Sequence, residues 1–308
     1  MINESLVSTL KQRQLIIEVN PLSEKELKKL GKDEVLLYEQ TNFRNTLNSL
    51  LQEIIPAVWK FTSGTIQVMT PEEIHALKKE NRKEDRFAVM TFRTLNPDIF
   101  KDMKGPLDTN YPEARHMLQS WHSNYLAVYL IEEYDAEPDV ADAVYAVNLA
   151  SMYPGKADLV FGLRQMQEMF KRRTDGKRFE RGEIMEIIEQ NASNLPHKTL
   201  LLAQEDINPE KLTPEELSKV YPYSAKIVPY SEIEKAILNA DPSFAYVSLL
   251  PVETSGSAPT NRVQMVIDAA TGLPMGFSAP SFSMKGAGYN DFIDPDSIRD
   301  YLKFVEAR

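Results

Sequence analysis

The chain has no cysteine among its 308 residues. This absence excludes disulfide bonds, zinc–thiolate sites, iron–sulfur clusters and thiol nucleophiles. Basic residues are outnumbered as well, because 35 lysines and arginines stand against 45 aspartates and glutamates, for a net charge of −10. Affinity for nucleic acid rests on lysine and arginine neutralising phosphates, so nucleic acid is not an expected partner.

Long apolar runs and an export signal are also missing. The longest runs, such as residues 125–131, fall short of the about 18 apolar residues that a membrane helix needs, so we predict no membrane-spanning segment. Residues 1–13 have no basic stretch followed by an apolar one, and no signal peptide is predicted there. We expect a periplasmic or secreted protein if a signal peptide has been removed, and a cytoplasmic protein otherwise.

Short apolar runs alternate with capped amphipathic segments, which is typical of an α/β fold. Residues 15–19 predict a strand, and capping residues at Ser23, Thr70, Thr213 and Ser231 predict the starts of helices. A chain of this length favours two domains. We predict a first α/β domain over residues 1–156, a helical connection over 157–194 and a second α/β domain over 195–308.

The two halves resemble each other in the order of their elements. Residues 123–133 are similar to residues 243–253, and the strands that follow share an apolar pattern at nearly constant spacing. We therefore predict two tandem related β-α-β-α-β-β-α domains with mixed sheets. The first would carry an extra strand at residues 87–93 and a longer loop after it. The groove between the halves is the expected ligand or partner site.

One segment carries a candidate metal site. Glu113 and His116 are three residues apart on a predicted helix, a spacing compatible with two metal ligands, and His122 is the nearest third ligand. Aromatic and apolar residues crowd the same segment, which favours a packed or surface role for His116. The chain also lacks a G-x-S-x-G nucleophile motif. We predict no catalytic residue, no bound metal and no cofactor.

Candidate partner-binding residues are of two kinds. A basic group lies at a predicted helix end, where cations also stabilise the helix dipole. Aromatic residues lie in predicted loops, where they mark binding surfaces or, equally, fill gaps between helix and sheet. We predict a protein partner that contacts Lys171, Arg172, Arg173, Tyr221, Tyr223, Tyr289 and Phe292.

Two motifs of the second half have counterparts in known families. A predicted strand ends in a D-x-x-T-G turn at residues 268–272, and Tyr221-Pro222-Tyr223 precedes Lys-Ile-Val at residues 226–228. The turn resembles that of the TolB amino-terminal domain and the curli-secretion channel family. The other segment is similar to uncharacterised exported bacterial proteins. The resemblance implies an envelope scaffold or adaptor and no catalytic residues.

We therefore expect a non-enzymatic binding or scaffold protein of a bacterial envelope. The alternative is an enzyme or small-molecule binder that uses the groove between the halves. Its polar cluster would be Glu113, His116 and His122.

Overall fold

Two five-stranded mixed sheets, each flanked by helices, make up the structure, which is a computed structural model. It describes residues 4–80, 86–95, 123–135, 140–151, 153–174, 181–252, 261–279, 282–283, 286–287 and 292–306. Within these ranges there are nine α-helices, and the predicted α/β class is confirmed. No helix in the described part of the chain is long and apolar enough to cross a membrane.

The elements follow one another along the chain in a similar order in both halves. The first half contains α1 (Glu4–Lys11), β1 (Gln14–Glu18), α2 (Glu24–Leu30), α3 (Glu34–Val58), β2 (Ile66–Met69), α4 (Pro71–Glu80), β3 (Phe87–Leu95), β4 (Ser123–Leu130) and β5 (Tyr145–Leu149). Two helices follow, α5 (Lys156–Thr174) and α6 (Arg181–Ala192). The second half contains β6 (Thr199–Ala203), α7 (Pro214–Val220), β7 (Ala225–Val228), α8 (Tyr230–Leu238), β8 (Phe244–Val252), β9 (Asn261–Asp268), β10 (Pro274–Ser278), a two-residue hairpin of β11 (Phe282–Ser283) and β12 (Gly286–Ala287), and α9 (Pro295–Glu306).

The two sheets have the same strand order and the same strand directions. The first runs β2-β1-β3-β4-β5 and the second β7-β6-β8-β9-β10. In each, the first three strands are parallel and the last two pair antiparallel with their neighbours. Strand β3 therefore corresponds to β8, β4 to β9 and β5 to β10. The prediction of an extra strand in the first half is wrong, because β10 completes the second sheet.

The predicted helix starts agree with the structure at three positions. Ser23 forms a capping box with Glu26, and Thr213 accepts a hydrogen bond from the Glu216 backbone N–H. Thr70 and Glu73 exchange hydrogen bonds of 2.8 and 3.4 Å in the same way. At Ser231 the prediction is wrong, because α8 already begins at Tyr230 and has no side-chain cap.

Helix α5 lies between the two sheets and joins them in one apolar core. Its residues Leu159, Leu163 and Met166 are fully buried. They belong to a cluster that also includes Leu126 of β4 and Tyr246 of β8. Two smaller clusters cover the remaining faces, one between sheet 1 and α4 and the other between sheet 2 and helices α7 and α9. The predicted helical connection is thus part of the core of both halves.

The contacts of α5 with the second half involve backbone groups and one arginine. Arg164 donates hydrogen bonds to the Ile237 carbonyl and, at 3.3 Å, to the Leu238 carbonyl. The arginine thereby caps the carboxyl end of α8. The turn after β9 contacts α5 at Gly272, where a Cβ atom would lie 3.1 Å from Gln165 N and 3.2 Å from Phe161 O. The turn and the helix therefore approach backbone to backbone. The domain bounds at 1–156, 157–194 and 195–308 stay a prediction.

Candidate functional site

The predicted metal ligands cannot be placed. Glu113, His116 and His122 lie outside the described residues, as does Tyr289. Among the residues that the structure does describe, no group of three histidines or carboxylates is arranged to hold a metal ion.

The predicted basic group at the end of α5 is not a uniform exposed patch. Lys171 is exposed and pairs with Glu168 at 2.5 Å. Arg172 is half-buried, and Arg173 is only 7% exposed. The three cations thus differ in accessibility, and Lys171 is the exposed member of the group.

The predicted loop aromatics also divide. Tyr221 is 2% exposed and belongs to the cluster beneath α7 and α9, where its ring meets that of Tyr223 edge-on at 5.6 Å. Burial raises the pKa of the Tyr221 phenol. Tyr221 therefore fills the gap between helix and sheet and is not a surface residue. Phe292 is 41% exposed.

The carboxyl end of sheet 1 holds a buried polar cluster at the edge where open α/β sheets bind ligands. The Arg93 guanidinium donates two hydrogen bonds to the Glu18 carboxylate at 2.5 and 2.7 Å. The Tyr134 hydroxyl donates to the same carboxylate at 2.8 Å. Burial disfavours the charge on Arg93, but the hydrogen bonds and charge of Glu18 outweigh it and raise the pKa of the guanidinium.

A second set of hydrogen bonds lies at the same end of β3. The Thr94 hydroxyl donates to Asn124 Oδ1 at 2.8 Å, and Asn124 Nδ2 donates to the Ser151 carbonyl at 2.9 Å. These two bonds join β3, β4 and the segment after β5. We interpret the cluster as a structural network, because hydrogen bonds among buried polar groups fix the position of the elements that carry them.

An open pocket of about 330 Å³ lies at the opposite end of β1, lined by Thr9, Gln12, Arg13, Gln14 and Arg86. Arg13 is 3% exposed and binds Glu132 through both terminal nitrogens. Burial opposes the charge on Glu132, but the hydrogen bonds from Arg13 outweigh it and lower the pKa of the carboxyl. The charge of Arg13 is thus already balanced within the chain by Glu132.

The two most exposed large apolar side chains of the described residues, Val35 and Tyr38, lie on a helical arm, which we define as residues 24–42. It comprises α2 and the first turns of α3, and none of its described side chains is buried. Leu27 is 41% exposed, Val35 55% and Tyr38 70%. The rest of α3 packs on sheet 1 through Leu47, Leu51, Ile54 and Ile55. The 25 residues of α3 extend about 37 Å, and only the carboxyl-terminal half of the helix enters the core.

The arm is anchored at its base and is basic along α2. Arg44 donates to the Asn20 carbonyl at 3.2 Å and to Glu26 at 3.4 Å. The Phe43 ring meets Tyr153 edge-on at 5.2 Å. Four exposed lysines lie on or just after α2, namely Lys25, Lys28, Lys29 and Lys32.

The apolar spacing of residues 43–61 predicts one helix there, but the helix already begins at Glu34, so sequence reasoning missed this surface. A signal was present: Gly31 ends α2, and Asp33 and Glu34 then supply an acidic helix start before an apolar run.

Comparisons with known proteins give no match to a family model, a curated protein or a solved structure.

Proposed function

We propose that the chain is a non-enzymatic binding or scaffold protein whose helical arm contacts a protein partner. The exposure of Leu27, Val35 and Tyr38, on a segment where none of the side chains that the structure describes is buried, carries this proposal. Removing apolar surface from water is favourable by about 25 cal/mol per Å². Tyrosine is also enriched among the residues that dominate binding energy at protein interfaces.

The charges of the arm define the partner. Four exposed lysines lie on or just after α2, although the chain as a whole has a net charge of −10. A partner surface with an apolar centre and an acidic rim would complement them. The same arm also carries five carboxylates, at Glu24, Glu26, Asp33, Glu34 and Glu39, so its lysines are interspersed with acidic residues. This mixture of signs favours a protein over an anionic membrane, which binds helices with a consistently basic face.

We also propose a location in a bacterial envelope, because the second half resembles envelope domains. The alternative function, an enzyme or small-molecule binder in the groove between the halves, has less support. Helix α5 packs against elements of both halves where that groove was expected, with Arg164 and Gly272 at the contact with the second half.

In the first step of the test, a photo-reactive amino acid replaces Tyr38 and crosslinks the partner in cells. The crosslinked partner is then identified and purified. Calorimetry with the purified partner should then show that Leu27→Ser, Val35→Ser and Tyr38→Ser together weaken binding about 10- to 100-fold, because the apolar centre of the interface is lost. Lys25→Glu with Lys28→Glu should lower the association rate and reduce its dependence on salt.

Leu238→Ser is the matched control, because Leu238 has the same 41% exposure as Leu27 but lies on α8. This variant should bind the partner with unchanged affinity. Equal affinity of the triple variant and the unsubstituted protein would overturn the proposal. So would the finding that the arm binds anionic vesicles and no protein partner.

A further inference from the structure

Strand β2 forms an outer edge of sheet 1 and carries no charge, its residues being Ile66, Gln67, Val68 and Met69. Val68 is 44% exposed. Edge strands present unpaired backbone groups, and natural proteins usually protect them with charged side chains or proline. Strand β7 occupies the same position in sheet 2 and carries the exposed Lys226. The β2 edge therefore lacks a protection that its counterpart has.

The register shows which backbone groups of β2 point outward. The Val19 N–H donates to the Met69 carbonyl at 3.0 Å, and β1 pairs with β2 in parallel. Alternate residues of a strand bond to the same neighbour. The backbone N–H and C=O groups of Gln67 and Met69 therefore point toward β1. Those of Ile66 and Val68 point toward the outer edge. The side chains of Ile66 and Val68 share one face of the sheet, the face on which Ile66 packs against the main core.

We infer that β2 accepts an extended segment of a partner protein as a sixth strand of sheet 1. The added segment would exchange hydrogen bonds with the backbone of Ile66 and Val68 and place an apolar side chain beside Val68. The edge determines the chemistry of the added segment. Beside β2, that segment is uncharged, has apolar residues at alternate positions and has no proline opposite Val68. A second copy is a poorer occupant, because each copy has a net charge of −10.

This inference goes beyond the proposed function, since it uses a surface separate from the helical arm. The probe is a blocked peptide with residues 14–17 of this chain, which are uncharged and of which residues 15–17 already pair with β2, flanked by lysines for solubility. Amide exchange measured by NMR should be fast at Ile66 and Val68 in the protein alone. It should slow by roughly tenfold or more when the peptide is added.

Val68→Pro removes the outward N–H of Val68 and leaves the pairing of Gln67 and Met69 with β1 intact. We expect it to abolish the slowing at Ile66. Val68→Lys keeps the N–H and adds a charge, so it should reduce the slowing of amide exchange by the peptide. This variant tests the inference independently of whether Val68→Pro folds. The matched control is Ile227→Pro, at the equivalent outward position of β7, which should leave the effect unchanged.

Three results would overturn the inference. The first is slow exchange at Ile66 and Val68 before the peptide is added, and the second is slowing that persists in Val68→Pro. The third is a dimer in sedimentation experiments that Val68→Pro converts to monomer, which would make a second copy the occupant. The triple variant of the arm should still bind the peptide, so a failure of the proposed function is distinguishable from a failure here.

Discussion

Replacing Arg93 by methionine should lower the free energy of unfolding by about 3–5 kcal/mol, because it leaves a buried charge without its partner. The Glu18 side chain is 1% exposed and binds both terminal nitrogens of Arg93. Tyr134 remains as a donor to Glu18, but a neutral hydroxyl does not balance its charge. Denaturant unfolding at neutral pH measures the loss.

The matched control is Arg44→Met, which removes the same kind of side chain from an exposed ion pair. Arg44 and Glu26 are 25% and 43% exposed, and such pairs contribute about 1 kcal/mol or less. If both variants lose the same small amount, the polar cluster at the end of sheet 1 does not have the structural role that we give it.

Gly272→Ala should lower the free energy of unfolding by about 2–4 kcal/mol. The backbone at Gly272 is left-handed, with φ of +74°, which a residue with a side chain adopts only at a cost. A Cβ atom would also meet the backbone of Gln165 and Phe161 in α5. Both tryptophans, Trp59 and Trp121, belong to the first half of the chain. Tryptophan fluorescence therefore reports whether a substitution in the second half destabilises the first.

Gly64→Ala is the control for backbone strain. Gly64 is also left-handed, with φ of +95°, but its added Cβ would meet only the flexible Gln14 side chain, 3.1 Å away at Cγ. It should cost about 1–2 kcal/mol. An unchanged tryptophan transition in Gly272→Ala, with a second transition seen by circular dichroism, would mean that the halves unfold independently as the predicted domains.

Local features of the fold could be predicted from the sequence because they depend on neighbouring residues. The capping residues Ser23 and Thr213, the strand at residues 15–19 and helix α5 are of this kind. The correspondence of strands between the halves could not. Strands β4 and β8 have similar apolar alternation, but β8 pairs in parallel with β6, whereas β4 has only antiparallel neighbours. Pairing depends on contacts that are distant in sequence.

The same reason limits prediction of the binding surface. Tyr221 and Tyr38 are both aromatic residues near turns, yet one is 2% exposed and the other 70%. The difference arises because the elements around Tyr221 close over it, while the helix that carries Tyr38 extends beyond the sheet. Residues 35–38 are also a continuous apolar run without helical spacing, so the pattern does not show which side is covered.

Hydrogen exchange along helix α3 tests the central claim most directly, namely that the arm stands outside the core. Short helices without tertiary support are marginally stable in water. In the protein alone, the amides of residues 36–42 should therefore exchange at least about 100-fold faster than those of residues 50–55 in the same helix. Uniform protection along the whole of α3 would contradict the account, because it would mean that the arm is already covered.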